Sequence, residues 1–116
     1  MADKIGILGL GLIGRVAAEK LMPAGYECYA VRRPSTEDFP DDGGKLVDTA
    51  RELAEVSDIV ISALPSVEAS RAALEGPDGL LAGAHAGLTI IEMNTFPVVV
   101  KEEIEALVGP TPAAII

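Results

Sequence analysis

The chain has 116 residues, enough for one domain with a genuine core. Its formal net charge of −9 is the opposite of what a nucleic-acid backbone binder carries. Hydrophobic residues make up 49% but aromatics only 3%, so the core must be built of Ile, Val, Leu and Ala, as in buried parallel strands and the helices that cover them.

Lys4 to Leu8 reads as the first strand. It runs into Gly9-Leu10-Gly11-Leu12-Ile13-Gly14, a G-x-G-x-x-G opening a helix from about Gly11 to Met22. Gly9 suits a tight turn, Gly11 a close approach of backbone to a pyrophosphate, and Gly14 close helix–strand packing. Unpaired N–H groups at the helix start would face the anion. The alternative is a Gly-rich turn that binds nothing. Ile13, Val16, Ala17 and Leu21 lie at helical spacing and are predicted to form the buried face. Pro23 and Gly25 end the helix.

Tyr26 to Val31 is the second predicted strand, with Cys28 as a small buried hydrophobe. As the only cysteine it excludes an internal disulfide and a cysteine-rich metal site, and it fits a reducing cytoplasm. Where an NAD-type fold places Asp or Glu for the ribose 2′-OH, this strand ends in Arg32-Arg33-Pro34. A guanidinium suits a 2′-phosphate, with Ser35 and Thr36 as further hydroxyl donors. The alternative is a solvated loop, and the stretch through Gly44 reads as loop.

Lys45 to Val47 is a short third strand, followed by a helix capped by Asp48 or Thr49 and ending near Val56. Asp58 to Ala63 reads as a buried fourth strand closed by Leu64-Pro65. Ser66 caps a helix over Val67 to Leu74, and Gly76-Pro77-Asp78-Gly79 is a turn. His85, between glycines, reads as a surface histidine. Leu88 to Met93 is the fifth strand. Asn94-Thr95-Phe96-Pro97 leads into a helix from Val98 to Val108, with Lys101 as surface charge among glutamates, and Asn94-Thr95 also reads as a cap for it. Ala113 to Ile116 looks like the start of a sixth strand. No apolar run approaches the ~20 residues of a membrane helix, and no signal peptide is visible.

Strands alternating with helices predict an α/β Rossmann-type fold: a doubly wound parallel sheet in three α/β/α layers. Right-handed crossovers then bring the glycine loop, Arg32-Arg33, Leu64-Pro65 and Asn94-Thr95 to one edge of the sheet.

Gly9-Leu10-Gly11-x-x-Gly14, Arg33-Pro34, Leu64-Pro65 and Glu92-Met93-Asn94-Thr95-x-Pro97, in this order, resemble the β-hydroxyacid dehydrogenases. That family includes 6-phosphogluconate and 3-hydroxyisobutyrate dehydrogenases and the imine reductases. The resemblance covers nearly the whole chain and implies the family's N-terminal cofactor domain, residues 1–116. It implies NADP(H) as cofactor in preference to NAD(H), with Arg33 at the 2′-phosphate. The cofactor-binding set it suggests is the run Gly9 to Gly14 with Leu10, Gly11, Leu12 and Ile13 inside it, then Arg32, Arg33 and Pro34, then Ala63, Leu64 and Pro65, and finally Asn94 and Thr95. Asn94 and Thr95 are the substrate-side candidates, Asn94 standing where the family has a serine. Ile13 stands for the family's methionine and Arg32 for its asparagine. The family's proton-transfer lysine lies in a following all-helical domain, so no catalytic residue is expected in this chain; no metal site is expected either.

The resemblance therefore implies part of an enzyme that exchanges hydride between NADP(H) and a small hydroxyacid, carbonyl or imine. Its partners would be a small-molecule substrate and, through the missing domain, further subunits; neither nucleic acid nor membrane is expected. A stand-alone nucleotide-binding or regulatory module is the second reading. A methyltransferase fits less well, because no acid follows the second strand.

Overall fold

The computed structural model describes residues 4–94 and 96–116. Six parallel strands form one sheet: β1 (Lys4–Leu8), β2 (Glu27–Val31), β3 (Lys45–Val47), β4 (Ile59–Ser62), β5 (Thr89–Glu92) and β6 (Ala114–Ile115). Their order is β3-β2-β1-β4-β5-β6. The winding direction reverses between β1 and β4, and in such sheets the ligand crevice opens there, beyond the strands' carboxyl ends. The α/β Rossmann-type reading holds, including the sixth strand.

Four helices cover the sheet: α1 (Leu12–Leu21), α2 (Ala50–Val56), α3 (Val67–Leu74) and α4 (Val98–Val108). Leu53 and Ala54 of α2, Leu74 of α3 and Ile104 and Val108 of α4 bury with Leu8, Val60 and Ile90 on one face. On the other face Ala18 of α1 and Phe39 cover Ile5, Ile7, Cys28, Ala30 and Ile61. Strand alternation sorts these residues, since neighbours along β4 such as Val60 and Ile61 point to opposite faces. Two caps fix helix starts. The Thr49 hydroxyl accepts from Glu52 N at 3.1 Å, and Ser66 Oγ accepts from Ala69 N at 3.1 Å. Asp48 is not the cap of α2; it pairs with Arg32.

Three expectations are corrected. The buried stripe of α1 is Gly14 and Ala18, with Ala17 and Leu21 half-buried. Ile13 and Val16 are 53% and 43% exposed. Small residues let α1 lie close on β1, and that rotates the larger apolar side chains away from the sheet. The segment after β2 is not simply solvated loop either. It forms two 3₁₀ turns, Pro34–Thr36 and Phe39–Asp42, and drives Phe39 to 2% exposure. His85, finally, is half-buried, with Nε2 at 2.9 Å from the Ser57 carbonyl and 3.1 Å from that of Ala54, and Nδ1 at 3.0 Å from that of Ala86. It pins the segment before β5 to the end of α2.

Candidate functional site

A crevice of ≈ 1030 Å³ opens at the carboxyl ends of β1 and β4. The glycine loop forms its floor. Gly9 has φ +94°, and a Cβ there would stand 2.5 Å from the Ala63 carbonyl oxygen, so this turn requires glycine on two counts. A Cβ on Gly14 would run into the Gly9 carbonyl oxygen, so Gly14 serves packing and does not line the crevice.

Gly11 differs from both. Its φ of −93° suits any residue, and a Cβ there meets nothing within 4 Å. The fold itself does not need glycine at this position. Gly11 lines the crevice at the N-cap of α1, where no side chain caps the helix. The first backbone N–H groups of a helix end left bare in this way attract an anion. The space before Gly11 and the bare helix end fit the diphosphate of a dinucleotide.

The other predicted residues divide. Leu10, Leu12, Ile13, Arg33, Ala63, Leu64, Pro65 and Asn94 line the crevice with Gly9 and Gly11. Arg32 and Pro34 do not. They line a smaller neighbouring cavity of ≈ 350 Å³, which Arg33 also borders, and Arg32 Nε pairs with Asp48 Oδ1 at 3.2 Å. Adjacent residues leaving a strand diverge, and of the pair only Arg33 shares the larger crevice with the glycine loop. Thr95 lies outside the described residues.

Arg33 is extended, at φ −149° and ψ 163°, and its position is set by Thr36. The buried Thr36 hydroxyl accepts from Arg33 N at 2.9 Å and faces the carbonyls of Val31 at 2.9 Å and Arg33 at 3.1 Å. Among the described residues the Arg33 guanidinium has no hydrogen-bond or ion-pair partner, and no Asp or Glu lines the crevice.

At the opposite end, Asn94 is 8% exposed. Its backbone N donates to Glu92 Oε1 at 2.9 Å, and its Nδ2 donates to the same oxygen. A carboxylate only accepts, so the amide orientation is determined and Oδ1 is the atom left for another partner. Pro97 is the N-cap of α4, so Asn94 does not cap that helix. Lys101 lies on α4, away from the crevice lining.

Sequence reading missed one wall. Ala69, Ala72 and Ala73 of α3 line the crevice together with Met93 and Phe96. Alanines spaced three and four apart on a helix that starts at a strand's carboxyl end were the available signal. Their small side chains leave the crevice wide.

The family profile for the NAD binding domain of 6-phosphogluconate dehydrogenase matches residues 4–113. An uncharacterized oxidoreductase of Bacillus subtilis, YfjR, is 35% identical over 105 residues, covering 89% of this chain and 37% of that protein. The structure of a Mycobacterium tuberculosis 3-hydroxyisobutyrate dehydrogenase, solved with L-serine, superposes with a TM-score of 0.84 at 26% identity, over 99% of this chain and 39% of that one. An imine reductase variant from Myxococcus stipitatus, in complex with NAD⁺, shares the fold with a TM-score of 0.87 at 17% identity, over 99% of this chain and 39% of that one. The chain thus spans well under half the length of these relatives. With the glycine loop, the bare helix end and the crevice at the reversal of the sheet, these matches establish that the chain belongs to the family of the NAD-binding domain of 6-phosphogluconate dehydrogenase.

Proposed function

We propose that this chain binds NADP(H) in preference to NAD(H). In this reading it is the cofactor-binding part of an oxidoreductase that moves a hydride between that cofactor and a small hydroxyacid, carbonyl or imine. One observation carries the preference. Arg33, whose guanidinium has no described partner, lines a crevice in which no described Asp or Glu takes part. A ribose 2′-OH calls for a carboxylate, whereas a 2′-phosphate calls for a planar cation with several donors. Ser35, two residues along and also on the crevice, adds a hydroxyl. Arg32, paired with Asp48, has no part in this reading.

The bound cofactor supplies the hydride chemistry, and the protein supplies position and electrostatics. The amides that open α1 face the diphosphate, and Gly11 leaves room for it. The alanine wall of α3 bounds the crevice opposite, and Asn94 offers Oδ1 at the end of β5 as a substrate-side acceptor. Thr95 is assigned beside it from the family pattern. The cytoplasm, a reducing compartment, is assigned from the single cysteine, which leaves no internal disulfide to form. Among the described residues no helix is long and apolar enough to cross a membrane.

Titration of NADPH and NADH into the purified chain tests the preference. NADPH binds more tightly, and Arg33→Ala weakens it by roughly ten- to hundred-fold while NADH changes little, as the loss of a charge-assisted hydrogen bond implies. Equal loss for both cofactors would place Arg33 elsewhere than on the 2′-phosphate.

A second reading, a nucleotide-binding or regulatory module without catalysis, rests on the crevice lining. Among the described residues no Lys, His or Tyr lines it to serve as general acid or base. That group would come from a separate helical domain, through which subunits would also associate. The chain alone is then expected to bind NADPH without oxidising it steadily in the presence of glyoxylate, succinic semialdehyde or a cyclic imine. Adding the helical domain restores turnover. Turnover by the chain alone at about 1 s⁻¹ or faster would refute the assignment of proton transfer to another domain.

A further inference from the structure

Arg15 follows Gly14 in the first turn of α1, yet it does not line the crevice. Its guanidinium reaches across to the segment after β2. Nη2 donates to the Ser35 carbonyl at 2.7 Å and to Asp38 Oδ1 at 3.0 Å, and Nη1 lies 3.4 Å from Asp38 Oδ2. The two side chains thus meet as a fork on a carboxylate, with a backbone carbonyl as the third acceptor. Ser35 and Arg33 both line the crevice, so the gripped carbonyl belongs to the turn that carries the guanidinium.

We propose that Arg15 is a positioning residue for cofactor selection. By holding Ser35 and Asp38 it fixes the span between the glycine loop and Arg33, so that one ligand reaches both. This rests on the NADP(H) reading above. The same helix whose N-terminus faces the diphosphate site thereby sets the placement of the 2′-phosphate site. The side chains of Arg15 and Asp38 are 33% and 63% exposed, and an ion pair so exposed adds little to global stability. Removing it therefore changes the geometry of one turn in a chain that stays folded. The hydrogen bond from the Arg15 guanidinium lowers the pKa of the Asp38 carboxyl from its ordinary value, which favours the charged form that the clamp uses.

The test is a set of titrations with NADPH and with NADH on the 116-residue chain and its variants. Arg15→Ala is expected to weaken NADPH by about fivefold and NADH by less than about twofold, the effect of losing one exposed fork. Arg15→Lys, a point charge without the fork, recovers part of the loss. Asp38→Asn approaches the same contact from the loop and moves the ratio in the same direction by less.

The decisive arm is the double variant. If Arg15 acts through Arg33, Arg15→Ala adds nothing to the NADPH loss already caused by Arg33→Ala. Independent, additive losses would overturn the proposal. So would equal weakening of both cofactors, which would put Arg15 on the shared diphosphate or on general stability. An unchanged NADPH/NADH ratio in Arg15→Ala and Asp38→Asn, with Arg33→Ala still selective, would remove this proposal and leave the NADP(H) reading standing. If Arg33→Ala itself loses no NADPH affinity, both fall together.

Discussion

Two loops meet at the crevice, and they are built in opposite ways. The loop after β1 is a backbone construction. Its shape comes from side chains that are absent: the positive φ of Gly9, the contact of Gly14 with the Gly9 carbonyl, and the open space before Gly11. The loop after β2 is a side-chain construction. Thr36 ties its turn from within, Phe39 anchors it in the core, and Arg15 grips it from α1. A site for an anion that every dinucleotide carries can be made of amides. Telling one dinucleotide from another takes a placed charge, and a placed charge needs a scaffold of its own. The first loop should therefore tolerate almost no added atoms, while the second should lose function in graded steps.

The sharpest break is Gly9→Ala. It forces a side chain into a positive-φ position and against the Ala63 carbonyl, where β1 and β4 adjoin. We expect a loss of ~3 kcal/mol or more, measured as a fall in denaturant midpoint at constant m-value. A loss below ~1 kcal/mol would show that this loop has slack. Gly11→Val is next. It should unfold at nearly the same denaturant concentration as the parent chain and bind neither NADPH nor NADH, because its side chain fills the diphosphate space. A folded variant that still binds would disprove the role given to Gly11.

In the second loop, Thr36→Val keeps the shape but leaves Arg33 N and the Val31 carbonyl without their bond. The expected cost is ~1–2 kcal/mol, together with a lower NADPH/NADH affinity ratio. Stability lost at an unchanged ratio would show that Thr36 supports the fold without placing Arg33.

The smallest effect lies outside both loops. Hydrogen bonding, to the Ala86 carbonyl first and then to those of Ser57 and Ala54, raises the pKa of His85 above its usual value, partly offset by burial. Its stabilisation is therefore complete below the unfolded pKa of about 6.5 and is lost as pH rises through the higher folded value. A thermal midpoint that falls slightly across that window, and flattens in His85→Asn, would bear this out. A flat profile in the parent chain would count against it, and NADPH affinity should not follow the change.

Much of this was legible in order along the chain. Val67–Leu74 and Val98–Val108 begin and end where caps, Pro and Gly predict, because helix ends are settled by local chemistry. The parallel sheet and the convergence of strand-end loops followed from the strand–helix alternation, since crossover handedness leaves few other arrangements. Three features were decided only in three dimensions. The rotation of α1 put Ile13 and Val16 outward, because Gly14 and Ala18 allow a closer contact than periodicity alone reveals. The divergence of Arg32 and Arg33, one to Asp48 and one to the crevice, depends on where β3 and α1 lie beside the turn. The grip of Arg15 on Asp38 joins residues 23 apart. Hydrophobic period and capping are properties of neighbours in sequence. Which of two adjacent arginines faces a ligand, and what holds its turn in place, are properties of neighbours in space.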